Sequence, residues 1–233
     1  MSELTSHYRR MFNILDEHLN EYNSNSIAKK KATNPFLISI PDNYDSYKNR
    51  IMIFGQETNG WCSECGNSSE YSNSIDKSIE TYREFYLDGR VYNSSSPFWN
   101  EFKRIRHEIL KEKNALFLWN NVNKIGRVGV GNLQEINNIQ FNYFQVIKEE
   151  IKAFKPNIMI FLTGPNYDFF IKSNIGEFNQ REIYDSIWEI TFNDEFLKPI
   201  KTIKTYHPKS LYTQRKNRTV IPNLIKEIKN ACT

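Results

Sequence analysis

Long apolar runs are missing from this sequence. No stretch among its 233 residues reaches the roughly 18 consecutive apolar residues that a membrane-spanning helix needs. The opening MSELTSHYRRMF lacks the apolar core of a secretory signal. The expectation is therefore a cytoplasmic protein with no membrane partner. Cysteine is scarce as well: there are three, an odd number that excludes a disulfide framework and agrees with a reducing compartment. Excess charge is small, since a net +4 does not demand a general polyanion binder. Lys209, Arg215, Lys216 and Arg218 nevertheless fall within ten residues of one another. Repeats and low-complexity linkers are absent too, so nothing divides the chain. We expect one domain over residues 1–233, with an N-terminal helix and loop extension at 1–49 and a core at 50–225, acting as a monomer.

What is present suits a globular core: 39% of the residues are hydrophobic and 14% aromatic. Residues 3–22 alternate apolar and polar positions at helical spacing, and a polar break with a basic triplet follows at 23–31. A loop with Pro35 and Pro41 leads to residue 49. Four short β-type runs stand at 51–54 (IMIF), 115–119 (ALFLW), 157–162 (NIMIFL) and 200–205 (IKTIKT). Helix-period stretches lie at about 74–87, 98–113, 139–154, 165–173 and 214–231. Strands alternating with helices imply an α/β fold, a three-layer α/β/α sandwich around a central four-stranded parallel sheet.

The carboxyl ends of parallel strands share one rim, where ligands bind. The expected occupants of that rim are Gly55-Gln56-Glu57-Thr58-Asn59-Gly60-Trp61, then Asn120-Asn121-Val122-Asn123-Lys124, then Thr163-Gly164-Pro165-Asn166, and finally Tyr206-His207-Pro208-Lys209-Ser210-Leu211. A carboxylate, several amides and a histidine thus meet from distant parts of the chain.

On these residues the sequence resembles the uracil-DNA glycosylase superfamily. Members carry G-Q-D-P-Y or a variant after the first strand and H-P-S-P-L or a variant after the last. Here the two read GQETN and HPKSL. SPFWNEF at 96–102 resembles the segment that supplies an aromatic to stack on the extruded base, and FLWNNV at 117–122 the strand end that supplies a base-reading asparagine. The resemblance covers residues 50–225 and rests on four motifs in the right order.

What the resemblance implies is base excision from DNA; no cofactor or metal is expected. The target base leaves the stack, enters a pocket and is cut from its deoxyribose, with positive character developing on the sugar and negative charge on the base. By resemblance, His207 stabilises the leaving base and Glu57 positions or deprotonates water. Gln56 helps orient the base, Phe98 stacks on it and Asn120 reads its edge. Leu211 fills the vacated stack, while Lys209, Ser210, Arg215 and Arg218 contact the DNA backbone.

The departures are informative. Uracil-specific relatives have aspartate, proline and tyrosine where this sequence has Glu57, Thr58 and Asn59, and that tyrosine presses on C5 of the base to exclude a methyl group. Asn59 forms no such wall. Either Trp61 replaces it, or the pocket accepts a substituent at C5. The expected substrate is a C5-modified pyrimidine, such as the glucosylated hydroxymethylcytosine of phage DNA, in antiviral defence. A repair uracil glycosylase and a non-catalytic nucleic-acid-binding module are the alternatives. Plain structural readings stand beside these. Phe98 and Trp99 suit a core, the asparagines suit turns, and the basic cluster suits a solvated helix face. Cys62 and Cys65 form a C-x-x-C pair, but only Cys232 remains, so one chain holds no four-cysteine set and free thiols are expected. His7, His18 and His107 receive no role.

Overall fold

The structure, a computed structural model, describes residues 3–27, 30–58, 60–62, 64–65, 74–129, 131 and 133–232. Eight helices and six strands are assigned among them. The apolar runs form β1 (Asn49–Gly55), β2 (Ala115–Asn121) and β3 (Ile158–Leu162). Two more polar segments make β4 (Phe178–Tyr184) and β5 (Ile187–Phe192), and Lys201–Thr205 makes β6. The helices are α1 (Glu3–Ser24), α2 (Ser74–Tyr82), α3 (Pro97–Leu110), α4 (Gln134–Tyr143), α5 (Ile147–Phe154), α6 (Asp168–Asn174), α7 (Pro208–Thr213) and α8 (Asn217–Ala231). None of the described helices is long and apolar enough to cross a membrane.

The sheet runs β2-β1-β3-β6-β5-β4. Pairs β1–β3 and β3–β6 are parallel, whereas β5 is antiparallel to both β6 and β4. This corrects the expectation of four parallel strands: the mixed α/β fold stands, with six strands in a mostly parallel sheet. β4 escaped because its side chains are polar and its middle exposed, so it has no apolar run. A hairpin signal did exist. Asp185-Ser186 lies between two β-type segments, and Ser186 has φ +66°, as hairpin turns demand.

By their contacts the residues form two compact units, each assembled from separated stretches. One comprises Met1–Ser39, Glu57–Asp88 and Asn121–Ala153, the other Ile40–Gln56, Gly89–Asn120 and Phe154–Thr233.

The first unit is built on helices. Tyr8, Leu15 and Leu19 line the buried face of α1, which packs on α2 and α4. After α2 the backbone widens into a π turn at Arg83–Leu87. The expected single helix at 139–154 is two, because Phe144 and Val146 are both buried and positions two apart lie on opposite sides of one helix. Beside the helices an irregular framework runs on backbone bonds. Residues 31–36 lie antiparallel to 124–128: Thr33 N donates to Gly126 O at 3.1 Å, Phe36 N to Lys124 O at 2.6 Å and Val128 N to Lys31 O at 2.9 Å. Gly60 N reaches Arg127 O on one flank, and Cys65 N reaches Ala32 O on the other. Gly126 is required by close approach, since a Cβ there would sit 2.1 Å from the Thr58 carbonyl oxygen.

The second unit contains the sheet from β1 onward, with α3, α7 and α8 packed on one another. Ser96 caps α3 by accepting from Trp99 N at 3.3 Å, and Pro97 occupies its first position, where the missing N–H costs nothing. β1 and β3 carry apolar runs buried on both faces, as buried parallel strands do, whereas β6 buries Thr202, Lys204 and Thr205.

Candidate functional site

In the second unit, the registers Phe54 to Phe161 and Leu162 to Thr205 bring the carboxyl ends of β1, β3 and β6 to one edge. Side chains and backbone tie that edge together. Gln56 Nε2 donates to Thr163 O at 2.8 Å, joining the first loop to the third. Gly164 N donates to Thr205 O at 2.9 Å. Gly164 has φ +80°, and a Cβ on it would lie 3.5 Å from the Tyr206 ring and 3.8 Å from His207 N. Gln56 therefore positions the strand ends through its donor.

His207 begins α7. Its backbone is the N-cap, and its Nδ1 accepts the Lys209 N–H at 3.2 Å. Burial, with the nearby Lys209 cation, pushes its pKa down from 6.5 to about 4. The ring is neutral at physiological pH. Because Nδ1 is occupied as an acceptor, the proton of the neutral ring resides on Nε2, which leaves a donor for a ligand. The Phe98 ring lies nearly parallel to it, at 6.1 Å between centroids and 16° between planes. Phe98 is itself fixed edge-on by Trp99 at 5.0 Å, so the histidine rests beside a braced aromatic.

The other expected residues of this unit divide by exposure. Lys209, Arg215 and Arg218 are exposed, which suits contact with phosphates. Arg215 takes φ +57° in the turn that closes α7, where Lys216 N donates to Leu211 O at 2.9 Å. Ser210 is half-buried and its hydroxyl accepts from Gln214 Nε2 at 2.9 Å. Leu211 is 0% exposed, a core side chain on the inner face of α7. The next residue, Tyr212, is 42% exposed and donates its hydroxyl to Glu101 at 2.8 Å. Asn120 is wholly buried on β2, with Nδ2 3.5 Å from the Met52 sulfur.

The remaining expected residues belong to the first unit. Glu57 is half-buried and follows Gln56 directly. Asn59 lies outside the described residues. Trp61 is engaged in the core, its indole N–H donating to Ser78 at 3.1 Å and its ring edge-on to Phe36 at 5.1 Å. Cys62 and Cys65 are free thiols, as is Cys232 of the second unit, and burial raises the Cys62 pKa, which keeps that thiol protonated. Among the described residues no three His, Cys, Asp or Glu side chains gather to hold a metal ion.

Two groups in this unit carried only a weak signal in the sequence. Lys124 and Glu150 are both 0% exposed and paired at 2.8 Å, with the Tyr8 hydroxyl donating to Glu150 at 2.6 Å and the Phe36 ring 4.6 Å from the ammonium. Burial lowers the Lys124 pKa, while Glu150 opposes that shift. Asn123, 1% exposed, has both amide atoms buried without a partner among the described residues. Its only herald was the amide-rich run NNVNK.

The chain matches no protein-family model and no curated protein.

Proposed function

We propose that this chain is a DNA glycosylase that flips a base out of DNA and hydrolyses its N-glycosidic bond to leave an abasic site. The observation that carries the reading is His207. It is a neutral imidazole at the carboxyl end of β6, whose Nδ1 accepts the Lys209 N–H so that Nε2 carries the donor proton, and it is braced beside the Phe98 ring. A reaction that develops negative charge on a leaving base gains from a preorganised donor aimed at that charge, because the bond strengthens as the charge grows.

In this reading the bond from C1′ to the base nitrogen breaks with its electron pair going to the base. His207 Nε2–H stabilises that anion. Water adds its oxygen to C1′, with Glu57 orienting it and taking up its proton, and a proton finally returns to the base. Phe98 supports the base by stacking, Gln56 holds the strand ends in place, and Lys209, Arg215 and Arg218 meet flanking phosphates. The fold that accompanies this reading is a three-layer α/β/α sandwich of the uracil-DNA-glycosylase kind, in a monomeric cytoplasmic protein.

The substrate we propose is a C5-modified cytosine such as glucosylated hydroxymethylcytosine of phage DNA, which makes the role antiviral. Two facts support it: asparagine stands at position 59 in place of a gating tyrosine, and Trp61 is engaged in the core by Ser78 and Phe36 rather than free to replace that gate. The test is incubation with oligonucleotides carrying uracil, cytosine, hydroxymethylcytosine or its glucosylated form, followed by alkali cleavage at abasic sites. Cleavage of the glucosylated strand alone is expected. Uracil release alone would make the chain a repair enzyme, and binding with no cleavage would make it a nucleic-acid-binding module.

A further inference from the structure

On the second unit one exposed aromatic stands out for the way it is held. Tyr212 is 42% exposed, and its hydroxyl donates at 2.8 Å to Glu101, a carboxylate only 2% exposed. The Asn217 side chain reaches the same hydroxyl. With the hydroxyl engaged, what Tyr212 has to offer a partner is its ring. Burial and the Glu101 hydrogen bond raise the phenol pKa, so the side chain is uncharged at physiological pH. The adjacent Leu211 is 0% exposed, so α7 is anchored on one side and carries the tyrosine on the other. An aromatic that is fixed before it binds loses little side-chain freedom on binding, which favours it as a contact.

Cations surround this residue. Lys209 precedes it by three positions on α7, a spacing that makes two side chains neighbours on a helix surface. Arg215 N donates to Tyr212 O at 3.1 Å, and Arg218 follows Asn217 directly; Lys209, Arg215 and Arg218 are all exposed. Arg104, with its side chain 43% exposed, stands 3.5 Å from Glu101, close enough for its charge to act on the tyrosine hydroxyl. Lys216 does not count among them, being engaged by Asp185 at 3.1 Å. From Tyr206 to Lys226 the chain has no acidic residue, and the one carboxylate behind the ring is the buried Glu101. A partner that suits this surface is polyanionic and also presents flat apolar faces. Phosphates and bases supply both, whereas an acidic peptide supplies the charge without the faces. In an intact duplex every inner base is already stacked on both sides, so a protein ring finds an open face at an unpaired base.

We propose that Tyr212, flanked by Arg104, Lys209, Arg215 and Arg218, is a stacking platform for an unpaired nucleic-acid base. The ring takes the base by its face, and the cations hold the phosphates on either side of it. The choice of nucleic acid rests on the glycosylase reading above, whereas nothing in the platform depends on bond cleavage. Added to that reading, the platform gives the chain a preference for DNA that is already unpaired over an intact duplex.

The test is binding of a single-stranded deoxythymidine oligomer and of an intact duplex of the same length, followed by fluorescence anisotropy at several salt concentrations. Tyr212→Ala and Tyr212→Phe both remove the hydrogen bond to Glu101, and only the first removes the ring, so the difference between them reports stacking rather than folding. Tyr212→Ala is expected to weaken single-strand binding by roughly tenfold, the effect of losing one stacked base. Tyr212→Phe should bind the single strand as the wild type does, and duplex affinity should change in neither. Replacing Arg215 and Arg218 together by glutamine should flatten the salt dependence of single-strand binding by about 1.4 in logarithmic slope, two phosphate contacts. A wild type that binds the duplex at least as tightly as the single strand overturns the proposal, as do equal weakening by both tyrosine variants, weakening by neither, or an unchanged salt slope. Base excision is scored separately. A wild type that excises a base while one of those results holds leaves the glycosylase reading standing without the platform. One that excises none while binding follows the ring keeps the platform and removes the glycosylase reading.

Discussion

Lys124 in the first unit and His207 in the second are both withdrawn from water, and the two are handled in opposite ways. Lys124 in the first unit is wholly buried and keeps a charge partner in Glu150, with Tyr8 donating to the same carboxylate oxygen. His207 in the second makes no ion pair with a carboxylate among the described residues, and burial, with Lys209 nearby, drives it neutral. Pairing uses up the hydrogen-bonding capacity of the group it protects, whereas neutralisation leaves the donor nitrogen of the imidazole open. The first solution makes a framework and the second makes a reagent.

Breaking the pair tests the first half of that contrast and carries the largest expected effect. Glu150→Ala leaves an ammonium buried without its partner, and it should lose about 3–5 kcal/mol of unfolding free energy in a urea titration. Replacing Lys124 and Glu150 together by methionine and leucine should cost far less. A similar loss in the double variant would mean that the pair acts through packing rather than charge.

His207→Ala probes the other half. If the ring stabilises a leaving anion, the variant should lose on the order of 10²–10³ in excision rate, as removal of one oxyanion donor does. Duplex affinity should change little, because phosphate contacts come from exposed basic side chains. Equal falls in rate and affinity would make His207 a structural residue.

Acid titration gives a smaller, signed effect. The folded pKa of His207, about 4, lies below its ordinary value of 6.5, so between these values the unfolded chain binds the proton and the folded chain does not. The His207 contribution to stability is therefore complete above pH 6.5 and declines as the pH falls toward 4. Comparing urea midpoints of the wild type and His207→Gln across that range should reveal a decline that the variant lacks. The smallest effect is expected for Lys209→Ala. Lys209 is the second cause of the depressed pKa, after burial, so its removal should raise the ring pKa modestly in an NMR titration. No change would assign the whole depression to burial.

Much of the framework was legible in the sequence because it depends on short-range patterning. Continuous apolar runs foretell β1, β2 and β3, since strands buried on both faces need no polar alternation, and the β-branched residues of IKTIKT foretell β6. Ser96-Pro97 foretells the start of α3 beside Phe98, and the same logic places His207 between a strand and Pro208, the first residue of α7. The hairpin β4–β5 was harder to see, because an edge strand with an exposed middle reads like a loop.

What the sequence by itself determined is thus the parallel core of the sheet and the location of Gln56 and His207 at its carboxyl edge, both consequences of residue type at fixed spacing. Tertiary structure alone decided three further matters. It sent Leu211 into the core and left the adjacent Tyr212 exposed, because the packing of α7 against α3 and α8 chooses which side of a short helix is hidden. It paired Lys124 with Glu150 across 26 residues of chain. It also withdrew His207 from water. Burial and pairing are properties of what surrounds a side chain, and those surroundings come from segments far away in the sequence.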